Sequence, residues 1–181
     1  MASPSDPAEQ VLALALSRPA TLGHGRLICV DGPAGSGKTT LATAMVALTG
    51  VPVVHMDDLY EGWDGLPSID AQLGSLLEPL ADGMPGSYRR YDWHAGAFAE
   101  TVTVPPTDLL VLEGVGSGAS AYASLQTALV WVEAPHDVRM RRGIERDGDA
   151  FAPYWEAWAR GERELFTRER TRERADLLFS T

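Results

Sequence analysis

Gly32-Pro33-Ala34-Gly35-Ser36-Gly37-Lys38-Thr39 reads G-x-x-x-x-G-K-[ST], the phosphate-binding loop (P-loop, or Walker A) pattern. Lys38 is the only lysine among 181 residues, and every other basic side chain is arginine. A compact ammonium on a flexible stem reaches between two phosphates, where a planar guanidinium fits poorly. Upstream, Arg26-Leu27-Ile28-Cys29-Val30-Asp31 is a short, mostly apolar run, which predicts a buried strand. Downstream, Thr39 to Leu48 predicts a helix that stops near Gly50. Strand, glycine loop and helix together aim backbone N–H groups and a helix N-terminus at an anion. The candidate nucleotide-binding residues are therefore Gly32, Ala34, Gly35, Ser36, Gly37, Lys38, Thr39 and Thr40, with the Thr39 hydroxyl placed for Mg²⁺.

The length suits one α/β domain over residues 1–181, and 45% hydrophobic with 22% charged residues is ordinary for a globular chain. No run approaches the length of a membrane span. Val11 to Leu16 is apolar but short, and Asp6 and Glu9 precede it, so it does not read as a signal peptide. Asp6-Pro7 instead reads as the cap and first residue of an amphipathic helix running to about Arg18. Residues 1–5 are expected to be disordered. The lone Cys29 allows no intrachain disulfide framework and fits a reducing cytoplasm. A net charge of −10 argues against wide contact with nucleic acid. The charge is unevenly spread: residues 1–135 hold 5 Lys+Arg and 15 Asp+Glu, whereas residues 136–181 hold 10 Arg and 10 acids. A local cationic cluster on an acidic chain suits a small anion better than a polyanion.

Further strands are predicted at Val51–Met56, Thr107–Glu113, Ala128–Glu133 and Ala175–Phe179. Helices are predicted at Ser68–Ala81, from His136 to about Arg146, and from Pro153 to about Glu173. Residues 82–106, rich in Gly, Pro and aromatics, read as irregular. Apolar strands alternating with helices indicate an α/β/α sandwich on a mainly parallel, five-stranded sheet.

Asp57-Asp58 follows the second strand, at the carboxyl end where open α/β sheets bind ligands. Phosphoryl transfer to a hydroxyl needs a carboxylate to accept the proton, and this pair is well placed for it. Glu113-Gly114 closes another apolar strand, the Walker B arrangement in which the acid serves Mg²⁺. Arg139, Arg142 and Arg146 fall at i, i+3 and i+7 and share a helix face. On a closing flap at about 147–153, such arginines would stabilise the transferred phosphoryl group. The later arginines, from Arg160 to Arg174, alternate with glutamates and read as an exposed, salt-bridged face. Ser87 to His94 mixes aromatics, a carboxylate and an imidazole, a composition able to clamp a planar substrate. The remaining histidines show no zinc-ligand spacing.

Four stretches together resemble the uridine kinase-like P-loop kinases: Gly32–Thr39, Met56-Asp57-Asp58-Leu59-Tyr60, Leu112-Glu113-Gly114, and Asp137 through Asp147 with its repeated arginines. The resemblance implies a P-loop NTPase fold, ATP and Mg²⁺ as cofactors, and phosphorylation of a small-molecule hydroxyl, nucleoside-like as a first guess. It also implies Asp57 as base, Tyr60 and Tyr91 at the acceptor, Arg142 and Arg146 in a short lid, and Thr39 with Glu113 at the metal; His94 is a candidate for the acceptor from the composition of its own stretch. Tyr91-Asp92-Trp93 is similar to the family's Tyr-Asp-Phe, but His94 follows sooner than expected, and Gly143 replaces a usual arginine. A non-catalytic nucleotide-binding protein is the rival reading. A guanine-reading Asn-Lys-x-Asp cannot occur, because Lys38 is the only lysine.

Overall fold

A computed structural model of the chain describes residues 6–148 and 152–181. In order, the elements are α1 (Pro7–Ser17), β1 (Arg26–Asp31), α2 (Lys38–Thr49), β2 (Val53–His55), α3 (Ile69–Ala81), β3 (Gly86–Asp92), β4 (Ala97–Val104), β5 (Leu109–Glu113), β6 (Ala128–Glu133), α4 (His136–Asp147), α5 (Trp155–Glu169), α6 (Thr171–Arg174) and β7 (Leu177–Ser180). Five strands form one parallel sheet in the order β2-β5-β1-β6-β7. The two segments expected to be unstructured or lid-like, residues 1–5 and 149–151 of the lid, lie outside the described residues.

The alternation of side chains along each strand divides the core in two. Leu27, Cys29, Leu110, Leu112 and Leu129 face α3, α5 and the connecting loops. Ile28, Val30, Val111, Val130 and Val132 face the other way, onto α1 and α2. Helix α1 supplies Ala8, Val11, Leu12 and Ala15, the i, i+3, i+4, i+7 stripe of an amphipathic helix, and the Asp6 carboxylate caps it at Ala8 N (2.8 Å). Cys29 is fully buried, and burial pushes its thiol far up, so it acts as a small hydrophobe. No helix among the described residues is long and apolar enough to cross a membrane.

Three expectations are corrected. Residues 82–106 are not irregular: β3 and β4 pair antiparallel as a hairpin, with a register shift between Arg89 and Tyr91. That irregularity, and a β4 that buries little besides Val104, hide the period-two pattern. The long final helix is two helices, because Arg170 adopts a left-handed backbone (φ 52°) that ends α5. The terminal strand begins two residues later than expected, at Leu177.

Leu110 is wholly buried on β5, between β2 and β1. Leu110→Ala is expected to cost about 2–5 kcal/mol of stability. Urea denaturation measures this, and a loss under about 1 kcal/mol would contradict the packing described.

Candidate active site

β1 delivers the chain to the glycine loop at its carboxyl end. Gly32 has φ +139°, and a Cβ there would lie 2.0 Å from the Val132 carbonyl oxygen, so only glycine fits beside β6. Helix α2 starts at Lys38 with no side-chain cap, leaving its first amides available to an anion. The loop's carbonyls are held by side chains, Lys38 from within the motif and three others from outside it. Lys38 Nζ donates to Pro33 O (2.9 Å), Arg139 to Ala34 O (3.2 Å), Arg142 to Gly35 O (3.3 Å) and Thr181 Oγ1 to Ser36 O (2.9 Å).

At the start of α2, Thr39 Oγ1 donates to Glu113 (3.2 Å to Oε1). His55 Nδ1 lies 2.6 Å from the same oxygen, since β2 and β5 place His55 directly beside Glu113. The Glu113 hydrogen bond raises the imidazole's pKa. No cluster of three or more His, Cys, Asp or Glu able to hold a metal occurs among the described residues. Two adjoining hard oxygens, Thr39 and Glu113, fit Mg²⁺, which keeps several waters and borrows phosphate oxygens instead of filling an all-protein cage.

Two acids behind the loop are buried. Asp31 is fully enclosed and accepts from Gly32 N (2.7 Å), Gly116 N (2.9 Å) and Gly118 N (2.9 Å). Burial raises its carboxyl to about 6, against the pull of those amides and Lys38. Glu162 of α5, also buried, accepts from Ala34 N (2.8 Å), and burial raises its pKa too. Burial pulls the Lys38 ammonium down, while Glu162, Glu113, Asp31 and Asp57 oppose that shift.

A cavity of about 920 Å³ runs from this loop to an aromatic end. Lys38, Thr39, Thr40 and Glu113 line one part; Asp57, Asp58, Trp63, Trp93, His94, Tyr154 and Trp158 line the other, and Arg142 and Arg146 of α4 also face it. Trp63 stacks on Tyr154 (centroids 4.9 Å, 5° between planes) and meets Trp93 edge-on at 5.0 Å. Trp93, from the β3–β4 turn, donates its indole N–H to Asp57 O (2.9 Å). Asp57 is exposed and near enough to Lys38 to act on its charge. Asp58 is half-buried, its carboxyl is raised by desolvation, and its charged neighbours include His55 and Arg90.

The expected site residues do not all converge. Tyr60 reaches the cavity but is otherwise buried: its hydroxyl donates to Val115 O and its ring packs edge-on against Trp158 at 5.1 Å. Tyr91 stands behind the cavity wall, against Trp93 and Phe98. The segment after Arg160 is not wholly a solvated face, since Glu162 is 2% exposed. Sequence reading missed Asp31, Glu162, His55 and the wall formed by Trp63, Tyr154 and Trp158. Glu162 did leave a trace: it lies on the apolar stripe Trp155, Trp158, Ala159, Leu165.

The chain has counterparts among known proteins. Its fold is that of the P-loop kinases. A candidate uridine kinase of Bacillus stearothermophilus superposes over 96% of this chain and 95% of its own, with TM-score 0.64 and 22% identity. A candidate fructose transport system kinase of Silicibacter sp. TM1040 superposes over 96% and 99%, with TM-score 0.66 and 20% identity. In sequence, the chain is 27% identical over 126 residues to a cytidylate kinase of Methanococcoides burtonii, a match that takes in 69% of this chain and 65% of that relative. No family model matches the chain.

The folded-state Asp31 carboxyl, near 6, lies above its ordinary value of 3.8. Ionising it therefore costs the folded state: the Asp31 contribution to stability is greatest below about pH 4, falls through pH 4–6 and levels above. Relative to Asp31→Asn, the wild type is expected to lose up to about 3 kcal/mol between pH 4 and pH 7. Denaturation of both across that range tests this; a pH-independent difference would refute it.

Proposed function

We propose that the chain is an ATP- and Mg²⁺-dependent kinase that phosphorylates a hydroxyl of a small metabolite. The observation that carries this reading is one cavity with a P-loop lysine and an oxygen pair at one end and Asp57 toward an aromatic wall at the other. A binding-only protein has no need of a carboxylate facing a second, separately built compartment.

In this reading the amides of Gly35, Gly37, Lys38 and Thr39 cradle the phosphates, the Ala34 amide being taken by Glu162, and Lys38 leaves Pro33 O to reach the phosphates. Thr39 and Glu113 would hold Mg²⁺, which would neutralise charge on the phosphate oxygens. His55, which lines the cavity beside it, orients the Glu113 carboxylate. Asp57 accepts the acceptor's hydroxyl proton as the acceptor oxygen bonds to the γ-phosphorus. The bond from that phosphorus to the bridging oxygen breaks, its electron pair leaving with ADP. Arg142 and Arg146 stabilise charge on the transferring group.

The wall of Trp63, Trp93, Tyr154 and Trp158 supports an acceptor with a flat face, nucleoside-like first, in contact with His94. Asp57 and Asp58 make this end acidic, which favours an unphosphorylated acceptor. A cytidylate acceptor, as the Methanococcoides relative's name implies for that protein, would bring a phosphate toward these carboxylates. A cytoplasmic location is part of the proposal and rests on the ATP requirement and the single buried thiol.

ADP release with Mg²⁺-ATP across nucleosides and small hydroxylated metabolites tests the proposal. One compound should stimulate turnover, and Lys38→Ala should abolish it. ATP binding with no stimulation across a broad panel would favour a regulatory nucleotide-binding protein. With an acceptor identified, Asp57→Asn is expected to lower kcat about a hundredfold or more while ATP affinity holds. An unchanged kcat would remove Asp57 as base.

A further inference from the structure

Both main-chain polar atoms of Ala34 are held from outside the P-loop by oppositely charged side chains. Its N–H donates to Glu162 (2.8 Å to Oε2, 3.2 Å to Oε1), and its carbonyl accepts from Arg139 (3.2 Å). The two side chains approach each other at 4.0 Å, with 2% of Glu162 and 12% of Arg139 exposed. Arg139 is itself fixed, donating to Ala134 O (3.2 Å) and lying over the Trp155 ring at 5.8 Å. Neither residue lines the cavity, so neither is placed to touch bound substrate.

Stability alone is a weak reason for such a pair. Burying two opposite charges returns little over a well-packed apolar pair of the same volume. What the pair supplies is direction. A carboxylate accepts only and a guanidinium donates only, so each fixes the orientation of one of the two peptide groups that flank Ala34.

We propose that Glu162 and Arg139 are positioning residues that clamp the two peptide groups flanking Ala34 and hold the P-loop in its phosphate-binding shape before nucleotide arrives. The inference rests on the nucleotide-binding part of the reading above. A loop already shaped pays less on binding, so losing the clamp weakens nucleotide affinity.

Calorimetric ATP titration of folded protein, below the onset of melting, tests this in wild type, Glu162→Ala, Glu162→Gln and Arg139→Met. Glu162→Ala strands the Ala34 N–H and is expected to weaken ATP binding about tenfold. Glu162→Gln keeps an acceptor oxygen and should stay within about threefold. A residue needed only for stability would lower the melting temperature of both variants and leave the affinity of the folded protein alone. Equal affinity in wild type and Glu162→Ala overturns the clamp, as does an equal loss in Gln and Ala. If Glu162→Ala does not fold, Arg139→Met decides: about threefold weaker binding or more supports the clamp, and unchanged binding overturns it. A wild type that binds no ATP overturns the nucleotide-binding reading itself, an outcome distinct from wild type and variants binding equally well.

Discussion

A loop that turns its amides toward an anion must turn its carbonyls away, and those carbonyls need partners of their own. Here the partners come from separate places: Lys38 from α2, Arg139 and Arg142 from α4, and Thr181 from just beyond β7. They converge because β6 and β7 lie on the same side of β1. The chain leaving β6 enters α4 beside the loop, and the chain leaving β7 is tied to β6 through Thr181 N and Glu133 O (2.9 Å). The cradle is therefore a product of strand order, and the motif is completed by residues more than a hundred positions away.

The same arrangement explains how an acidic chain presents a site for anions. Net charge is −10, yet the acids nearest the loop are spent locally. Asp31 is held by three amides and Glu162 by the Ala34 amide, while Thr39 and His55 both contact Glu113. Field at close range is set by oriented amides and a few cations, and distant surface charge is screened over about 10 Å.

What the sequence discloses and what it conceals follow the range of the interactions. The P-loop, the apolar strands and the capped α1 are local, and each is legible from a dozen residues or fewer. The His55–Glu113 contact requires knowing that β2 and β5 are neighbours in register. The aromatic wall joins Trp63, Trp93, Tyr154 and Trp158 from three separate segments, which no spacing rule connects. Arg170 is a non-glycine residue with positive φ, so no residue type announced the break after α5. Glu162 was legible in principle, as a carboxylate on an apolar stripe, but the arginine–glutamate alternation around it suggested a solvated face.

The two ends of the cavity are built by opposite means. The phosphate end is backbone: glycines, amides and a helix start, shaped from behind by buried charges. The aromatic end is side chain, carried by the turn after β2, the β3–β4 turn and α5, and Trp93 ties the hairpin to the Asp57 carbonyl. Backbone reads a phosphate by geometry common to every P-loop, so this end carries little information about the second substrate. In the proposed kinase, selectivity would come from the wall, where Trp63 is stacked on Tyr154 and Asp57 and Asp58 lie close by. Helix α5 joins the two ends, for Trp158 on the wall and Glu162 behind the loop are one turn apart on one face. One helix therefore carries both a wall residue and the carboxylate that holds the Ala34 amide.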